Sequence, residues 1–376
     1  MVVELEPSIE KWVEAQLIDP QQAERILAFE SVQAPARRAR WPVIVALAFG
    51  GIMLAAGVLL FVSAHWDELS PMQRMALLVS AVGGFHVAGA FSSERFRALG
   101  ITLHAAGTVA LGGAIALAGQ IFNMQEHWPT AVVLWAGGAI AGWVLLHDWP
   151  QLTIAAILIP WWLLGEFTEA VPSAHTTVQV VSAAVLMLSI CYLSVRLPGA
   201  DSRKDLTRVS LAWLGGLALL PATFTVALTR EFWSRSTAPN SAVVTIGWAG
   251  AILIPLALAW VFRRGAAWMN AVAAVWVLGL SAIADQRMEI GLYAWCAIGA
   301  AGMIAWGIYE FRPERINLGM AGFAITIVAF FFSAVMDKLG RSASLIVLGT
   351  ILLAGGWQWE KLRRRLLTQV RLGGAQ

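Results

Sequence analysis

A histidine, two acids and an arginine stand close together in the stretch VSAHWDELSPMQRM, Val62–Met75, which apolar chain flanks on both sides. His65 and Asp67 belong to residue types that exchange protons and accept hydrogen bonds, while Arg74 is always cationic. An ionised side chain near a bilayer persists only where it is paired or reaches the interface. Two interpretations follow. Either Asp67 and Arg74 clamp a turn, or the three residues belong to a polar site at the membrane surface.

A second polar stretch, GQIFNMQEHWPT at Gly119–Thr130, has a similar character. Gln120 and Asn123 are three residues apart, so on a helix they share one face. Both stretches are predicted to lie on the outer side of the bilayer, where Glu166 also ends an apolar run. We treat the following residues as one candidate polar cluster on the outer face: His65, Asp67, Arg74, Gln120, Asn123, Glu126 and Glu166.

Part of the first stretch is explained by helix capping alone. Ser70-Pro71-Met72-Gln73 has a serine at the N-cap, a proline at the first helical position and a glutamine at the third. This pattern predicts that a membrane helix begins at Pro71.

Composition identifies the class of protein. The 376 residues are 59% hydrophobic and 13% charged, whereas a soluble domain carries about 25% charged residues. The apolar residues recur in runs of about 20, the length that crosses a bilayer as a helix. We predict an all-α, polytopic membrane bundle of about twelve helices. Their predicted ranges are 42–64, 71–91, 101–122, 130–147, 152–167, 178–197, 209–229, 242–262, 269–285, 291–311, 316–335 and 342–359.

Basic residues orient this bundle. With the N-terminus in the cytoplasm, 20 of the 26 Lys and Arg residues fall on the inner side, as the positive-inside rule requires. We therefore predict a cytoplasmic (inner) membrane protein with both termini in the cytoplasm. The basic residues lie between apolar runs, so the net charge of +3 does not indicate a nucleic-acid partner.

Four regions are predicted along the chain. Residues 1–40 form a cytosolic amphipathic helix pair with a basic linker, and Asp19-Pro20 starts the second of these helices. Residues 41–167 form a first membrane domain of about five helices. Residues 168–360 form a second region of about seven, and residues 361–376 are a basic cytosolic tail that anchors topology or contacts anionic lipid.

Two other groups of residues within the membrane helices attract attention. Pro160, Pro221 and Pro255 lie inside predicted spans, where they either kink a helix or break it and free backbone groups to line a cavity. His86 and His104 lie in consecutive spans, where a pair relays protons or is simply packed and hydrogen-bonded.

Several kinds of chemistry have no support in the sequence. There is no zinc-protease, nucleophile-elbow or phosphate-loop motif, and Cys191 and Cys296 are predicted core residues far from metal-ligand spacing. We therefore predict no cofactor, no metal and no catalytic residue. No acid lies near a predicted bilayer midplane, which disfavours ion-coupled transport.

The pattern over residues 7–167 resembles the DUF2157 family of bacterial polytopic membrane proteins of unknown function. The residues that carry the resemblance are Trp66, Asp67, Ser70, Pro71, Arg74, Gly119, Gln120, Ile121, Trp128 and Pro129. The resemblance implies a possible partner, a small membrane protein of the GDYXXLXY type, and assigns no activity.

Three functional hypotheses remain. Twelve spans with prolines inside them favour transporter-like handling of a small solute across the lipid bilayer, and they predict a cavity lined by the Pro221 and Pro255 segments. The alternative is a non-transporting scaffold or sensor that works with a partner membrane protein. A membrane enzyme that acts through His65, Asp67 and Glu126 is the third.

Overall fold

The computed structural model describes most of the chain from residue 69 to residue 335. The described residues are 9, 12–13, 15–26, 28, 46, 49–50, 53, 57, 60–61, 64, 69–122, 127–171, 174–195, 206–228, 241–285, 289–335 and 349–350. Regular structure in this part of the chain is helical throughout, without a strand, which confirms the predicted all-α class.

Ten α-helices follow one another between residues 71 and 330. They are α1 Pro71–Ser93, α2 Arg97–Ile121, α3 Pro129–Leu146, α4 Trp149–Ala170, α5 Ala174–Leu193, α6 Leu206–Leu228, α7 Ser241–Arg263, α8 Trp268–Asp285, α9 Glu289–Tyr309 and α10 Pro313–Phe330. A 3₁₀ turn, Arg264–Ala266, separates α7 from α8, and a π-helical turn, Phe331–Val335, extends α10.

These helices correspond to the second to eleventh predicted spans. Within the described residues, nine of them are long and apolar enough to cross a membrane, and α8 is a shorter apolar helix at Trp268–Ala284. The predicted ranges 42–64 and 342–359 lie largely outside the described residues. The total of twelve therefore remains a prediction.

The start of α1 has the predicted capping box. The backbone N–H of Ser70 donates to Oε1 of Gln73 at 2.8 Å, and the backbone N–H of Gln73 donates to the Ser70 hydroxyl at 3.4 Å. Pro71 occupies the first helical position, where its missing N–H costs no hydrogen bond. Three residues of the first polar stretch thus serve the helix start.

The N-terminal region is described only in part. Residues 20–26 are helical, and the backbone N–H of Asp19 donates to Oε1 of Gln22 at 3.1 Å, as expected for the predicted helix start at Pro20. Ile9 and Ala23 are buried. The cytosolic helix pair as a whole stays a prediction.

The chain divides into two compact units, residues 1–159 and 160–376. The division falls inside α4 at Pro160, eight residues before the predicted domain boundary.

In unit 2, α5 is the central helix. Of the residues in its apolar stretch, 56% are buried, against 33% or less for every other candidate membrane helix among the described residues. Leu186, Met187 and Ile190 of α5 form the core with residues of α6 and α8. Cys191 is buried and free there, as predicted.

Helices α8 and α9 of unit 2 are held by two reciprocal tryptophan contacts. The indole N–H of Trp276 donates to the Trp295 carbonyl at 2.9 Å, and that of Trp295 donates to the Trp276 carbonyl at 2.8 Å. Each ring lies against a glycine of the facing helix, Trp276 against Gly299 and Trp295 against Gly279, where a Cβ atom would collide with the ring. Small residues let the backbones approach closely, which is common at interfaces between membrane helices.

Candidate functional site

The predicted outer polar cluster is only partly described. His65, Asp67, Asn123 and Glu126 lie outside the described residues. Arg74 is half-buried in the first turn of α1, and Gln120 is exposed near the end of α2. Glu166 of α4 accepts a hydrogen bond from the indole N–H of Trp162 at 2.9 Å. Whether these residues converge stays a prediction.

Unit 1 instead brings His86 of α1 and His104 of α2 together. Their Nδ1 atoms lie 3.2 Å apart, and their rings stack with centroids 5.4 Å apart. His104 is 5% exposed. One ring must donate and the other accept, an arrangement that two neutral imidazoles satisfy without any counter-charge. The sequence identified both histidines but left their pairing as one of two alternatives.

Two glycines fix the position of this histidine pair. Each histidine precedes a glycine by three residues, in HVAG at His86–Gly89 and in HAAG at His104–Gly107. A Cβ atom at Gly89 would lie 2.9 Å from the His104 ring, and one at Gly107 would lie 2.9 Å from the His86 ring. Each ring therefore rests on the bare backbone of the facing helix. The repeated H-x-A-G pattern is the signal that sequence analysis missed.

A buried polar network adjoins the pair along α2. The Thr108 hydroxyl donates to Oε1 of Gln151, the third residue of α4, at 2.6 Å. The Trp135 indole of α3 donates to the Thr108 carbonyl at 2.7 Å. Thr108 and Gln151 are 2% and 0% exposed. Among the described residues, Nε2 of Gln151 has no hydrogen-bond partner, so this amide depends on Thr108 for its positioning.

We expect Thr108→Val to lower the free energy of unfolding by about 1–3 kcal/mol, because it leaves the buried Gln151 oxygen without its donor. Thr102→Val is the matched control in the same helix. The Thr102 hydroxyl donates to the Ala98 carbonyl of its own helix, so the change costs no more than about 0.5 kcal/mol. Denaturant unfolding in detergent measures both. Equal losses for the two variants would contradict the network.

Unit 2 contains a buried ion cluster made of Arg263, Glu310 and Arg315. Arg263, the last residue of α7, pairs with Oε1 of Glu310. Arg315, in the first turn of α10, pairs with Oε2 at 2.6 Å. The arginine side chains are 0% and 1% exposed, and that of Glu310 is 18% exposed. One carboxylate thus bridges two guanidinium groups that water does not reach.

Trp306 and the ends of three helices complete the Arg263–Glu310–Arg315 cluster. Both guanidinium groups lie over the Trp306 ring, 5.0 and 4.7 Å from its centroid, and the indole N–H donates to Glu310. Arg315 also donates to the carbonyl of Leu193, the last residue of α5, at 3.2 Å. Helices α5, α7 and α9 all end here, so the negative ends of their dipoles offset part of the excess positive charge.

The cluster changes the acidity of Glu310, which directly follows α9. Burial alone would raise the pKa of its carboxyl group. The hydrogen bond from Trp306 and the charges of Arg315 and Arg263 outweigh burial, so the pKa lies below its ordinary value of 4.5. Glu310 is therefore ionised at neutral pH and holds the two arginines in place.

A cavity of about 910 Å³ adjoins the ion cluster within unit 2. Helices α6, α8, α9 and α10, with Ile190 of α5, line it with almost entirely apolar side chains. Pro221 lies on its wall, as the transporter hypothesis expected, whereas the buried Pro255 does not line it. All three prolines lie inside helices that continue through them. Gly299, midway along α9, is also part of the wall, so the cavity reaches the centre of that helix.

The two ends of the cavity differ in chemistry. At one end, Trp268, Trp306 and Tyr309 line it next to the ion cluster; we call this the arginine end. At the other, Tyr293 lines it, and the Tyr293 hydroxyl hydrogen-bonds Ser333 of the π-helical turn at 2.6 Å. A cavity of this size accommodates one small ligand.

Comparison with known proteins gives a family match over the first part of the chain. Residues 10–151 match the family model DUF2157, described as a predicted membrane protein. No curated protein and no solved structure matches the chain. The matched range contains the histidine pair and ends at Gln151 of the polar network, while the ion cluster and the cavity lie beyond it.

Proposed function

The chain carries a DUF2157 region over residues 10–151, and from this premise we propose that it is a bacterial inner-membrane protein with transporter-like handling of a small apolar solute. Both termini and the arginine end of the cavity lie on the cytoplasmic side. The observation that carries the proposal is the apolar cavity of about 910 Å³ in unit 2.

The helix packing around the cavity supports this proposal. A solidly packed bundle would offer a solute no space, because protein interiors leave few voids larger than a water molecule. Here helices α6, α8, α9 and α10, with Ile190 of α5, line a half-open space along most of α9, from Tyr293 to Tyr309. The reciprocal tryptophan contacts of α8 and α9 hold two of these walls at a fixed separation. Such a preformed apolar space is the usual form of a small-molecule site.

The family region has a separate role in this proposal. The histidine pair and the Thr108–Gln151 network join α1 to α4 through buried polar contacts that need no ligand. Unit 1 therefore acts as the scaffold of the protein, and the solute binds in unit 2. We therefore expect substitutions on the cavity wall to abolish solute handling while the protein still folds.

The test fills the cavity with a side chain. Gly302 lies on the cavity wall, and a Cβ atom there would have open space within 4 Å. We expect Gly302→Phe to slow the flux of a small apolar solute about tenfold, which corresponds to about 1.4 kcal/mol. Everted membrane vesicles are loaded in turn with Nile red, anilinonaphthalene sulfonate and ethidium, which are neutral, anionic and cationic, and fluorescence follows their movement.

Gly137→Phe is the matched control for this flux measurement. Gly137 lies in α3 of unit 1, with open space around its Cβ position and no part in the cavity. Its flux should equal that of the native chain. If no dye distinguishes Gly302→Phe from Gly137→Phe, the transporter proposal is wrong.

A non-transporting scaffold or sensor is the second candidate. The observation in its favour is that the family match falls entirely within unit 1. In the candidate membrane helices described there, only 17–33% of the residues in the apolar stretches are buried. Their apolar faces offer surface to a partner helix. Co-expression with a GDYXXLXY-type membrane protein tests this. A stable complex in mild detergent is expected, and a chain that purifies alone would argue against it.

A further inference from the structure

We propose that the solute is a single-chain anionic amphiphile of the fatty-acid type, bound with its chain in the cavity and its charged group at the arginine end. This inference rests on the proposed function and names the substrate class of the same site. Three features of unit 2 support it: an apolar wall, an excess of positive charge at one end, and a different chemistry at the other.

The cavity wall selects an extended apolar chain. Its glycines and alanines leave a smooth surface along α9 and α10, and its larger members are aliphatic or aromatic. The few polar groups, such as Thr223 and Thr326, already donate to carbonyls of their own helices. No described wall residue is an acid or a base. A polar solute would therefore lose its hydration without gaining partners.

Positive charge accumulates at the arginine end. The turns after α7 and α9, together with the helix residues that flank them, hold four arginines against two glutamates: Arg263, Arg264, Arg312, Arg315, Glu310 and Glu314. Glu310 is fully engaged by Arg263 and Arg315, and Glu314 pairs with Arg312 at 3.5 Å. Arg264 is exposed and lies four residues before Trp268 of the cavity wall. An anionic group at this end would meet a net positive surface.

The opposite end has no such excess of positive charge among the described residues that line it. Tyr293 lines the cavity there, and its hydroxyl shares a hydrogen bond with Ser333. Tyrosine and serine hydroxyls carry no positive charge. The excess of positive charge at the arginine end therefore orients an amphiphile, because it attracts the anionic group to that end.

Photolabelling tests the inference. The native chain in phosphatidylcholine nanodiscs is labelled with a diazirine-bearing fatty acid or with the fatty alcohol of the same chain, and labelled peptides are mapped by mass spectrometry. We expect the acid to label peptides of α6, α9 and α10 about tenfold more than the alcohol does. Arg264→Gln/Arg312→Gln should reduce labelling by the acid to the level of the alcohol and leave labelling by the alcohol unchanged.

Two control variants and a third probe, a diazirine phosphatidylglycerol, distinguish the possible outcomes. Arg95→Gln/Arg97→Gln removes two exposed arginines from unit 1, on the same predicted membrane side, and should leave labelling by the acid unchanged. Gly302→Phe should abolish cavity labelling by both probes. Acid and alcohol that label equally, with both blocked by Gly302→Phe, would overturn the anionic assignment while the cavity remains a solute site. Stronger labelling by a diazirine phosphatidylglycerol than by the acid would overturn the single-chain assignment.

Failure of the inference is distinguishable from failure of the proposed function. The flux of dyes through vesicles depends on the cavity and does not require an anionic solute. A Gly302→Phe effect on flux combined with equal labelling by acid and alcohol would refute only the inference. Absence of cavity labelling by either probe, with no effect on flux, would refute both.

Discussion

Replacing Glu310 by glutamine is expected to lower the free energy of unfolding by about 3–5 kcal/mol, because it leaves two buried guanidinium groups without their counter-charge. Arg263 and Arg315 are 2% and 1% exposed, so water cannot replace the carboxylate. The arginines belong to α7 and α10, and Glu310 follows α9. The substitution therefore loosens the ends of three helices together. Unfolding in detergent with increasing denaturant measures the loss.

Glu314→Gln is the matched control for this variant. Glu314 lies four residues away, its side chain is 41% exposed, and it pairs with Arg312 at 3.5 Å. An exposed ion pair contributes about 0–1 kcal/mol, so the control should unfold almost as the native chain does. If Glu310→Gln is as mild as the control, the cluster contributes no net stability.

Acid titration provides a second readout for the Glu310 variant. The folded pKa of Glu310 is depressed, so its stabilising effect is complete above the ordinary value of 4.5. The effect is lost as the pH falls below that value through the folded pKa, because protonation removes the bridging charge. The native chain should lose stability across this acidic range. Glu310→Gln should lack that part of the loss.

Gly215→Ala is the second substitution with a large expected effect. A Cβ atom at this position of α6 would collide with the backbone of α5, at the Leu193 nitrogen and the Ser189 oxygen, and would lie 3.0 Å from the Tyr192 carbonyl carbon. Backbone cannot move aside as a side chain can. We expect a loss of about 1–3 kcal/mol or more, as for other overpacked sites.

The adjacent glycine offers a close control. A Cβ atom at Gly216 would meet only Leu318 and Leu193 side chains, at 3.6 and 3.7 Å, which is ordinary van der Waals contact. Since alanine is favoured over glycine in a helix by about 0.5–1 kcal/mol, Gly216→Ala should be neutral or slightly stabilising. Thermal unfolding of the two variants side by side measures the difference. Similar behaviour would mean that α5 and α6 do not approach as closely as described.

The sequence predicted the helices well, for a physical reason. A membrane helix needs an uninterrupted apolar run of defined length, and such runs are directly visible in the amino-acid order. The ten described helices therefore overlap their predicted ranges, and even the shortest prediction, 152–167, lies within the 22-residue helix Trp149–Ala170. The start of α1 at Pro71 could also be predicted from the sequence, because a capping box depends on four adjacent residues.

Contacts between helices were less accessible to sequence analysis. Arg263 and Arg315 were interpreted only as basic residues that orient the bundle, yet they are buried in an ion cluster. Their partner Glu310 is close to Arg315 in the chain but 47 residues from Arg263. A single sequence shows where charges stand along the chain, whereas burial depends on how α7, α9 and α10 are arranged in space.

The histidine pair illustrates the same limit and a partial remedy. His86 and His104 are 18 residues apart, and their contact depends on the register between α1 and α2. The glycine three residues after each histidine carries information about that register. Each histidine ring needs a glycine opposite it on the other helix, and only one alignment of the two helices provides both glycines. A search for such matched pairs in consecutive spans would also have drawn attention to the Trp276–Gly279 stretch.

The reciprocal ring-on-glycine contacts of α1 with α2 and of α8 with α9 bear on how the protein is made. Each contact joins helices adjacent in the chain, so closing the hairpin costs little entropy. The register of each pair is set by its own residues and requires no later helix. During synthesis, each hairpin can therefore enter the bilayer as an aligned pair. The ion cluster, which joins α5, α7, α9 and α10, can close only after α10 has been inserted.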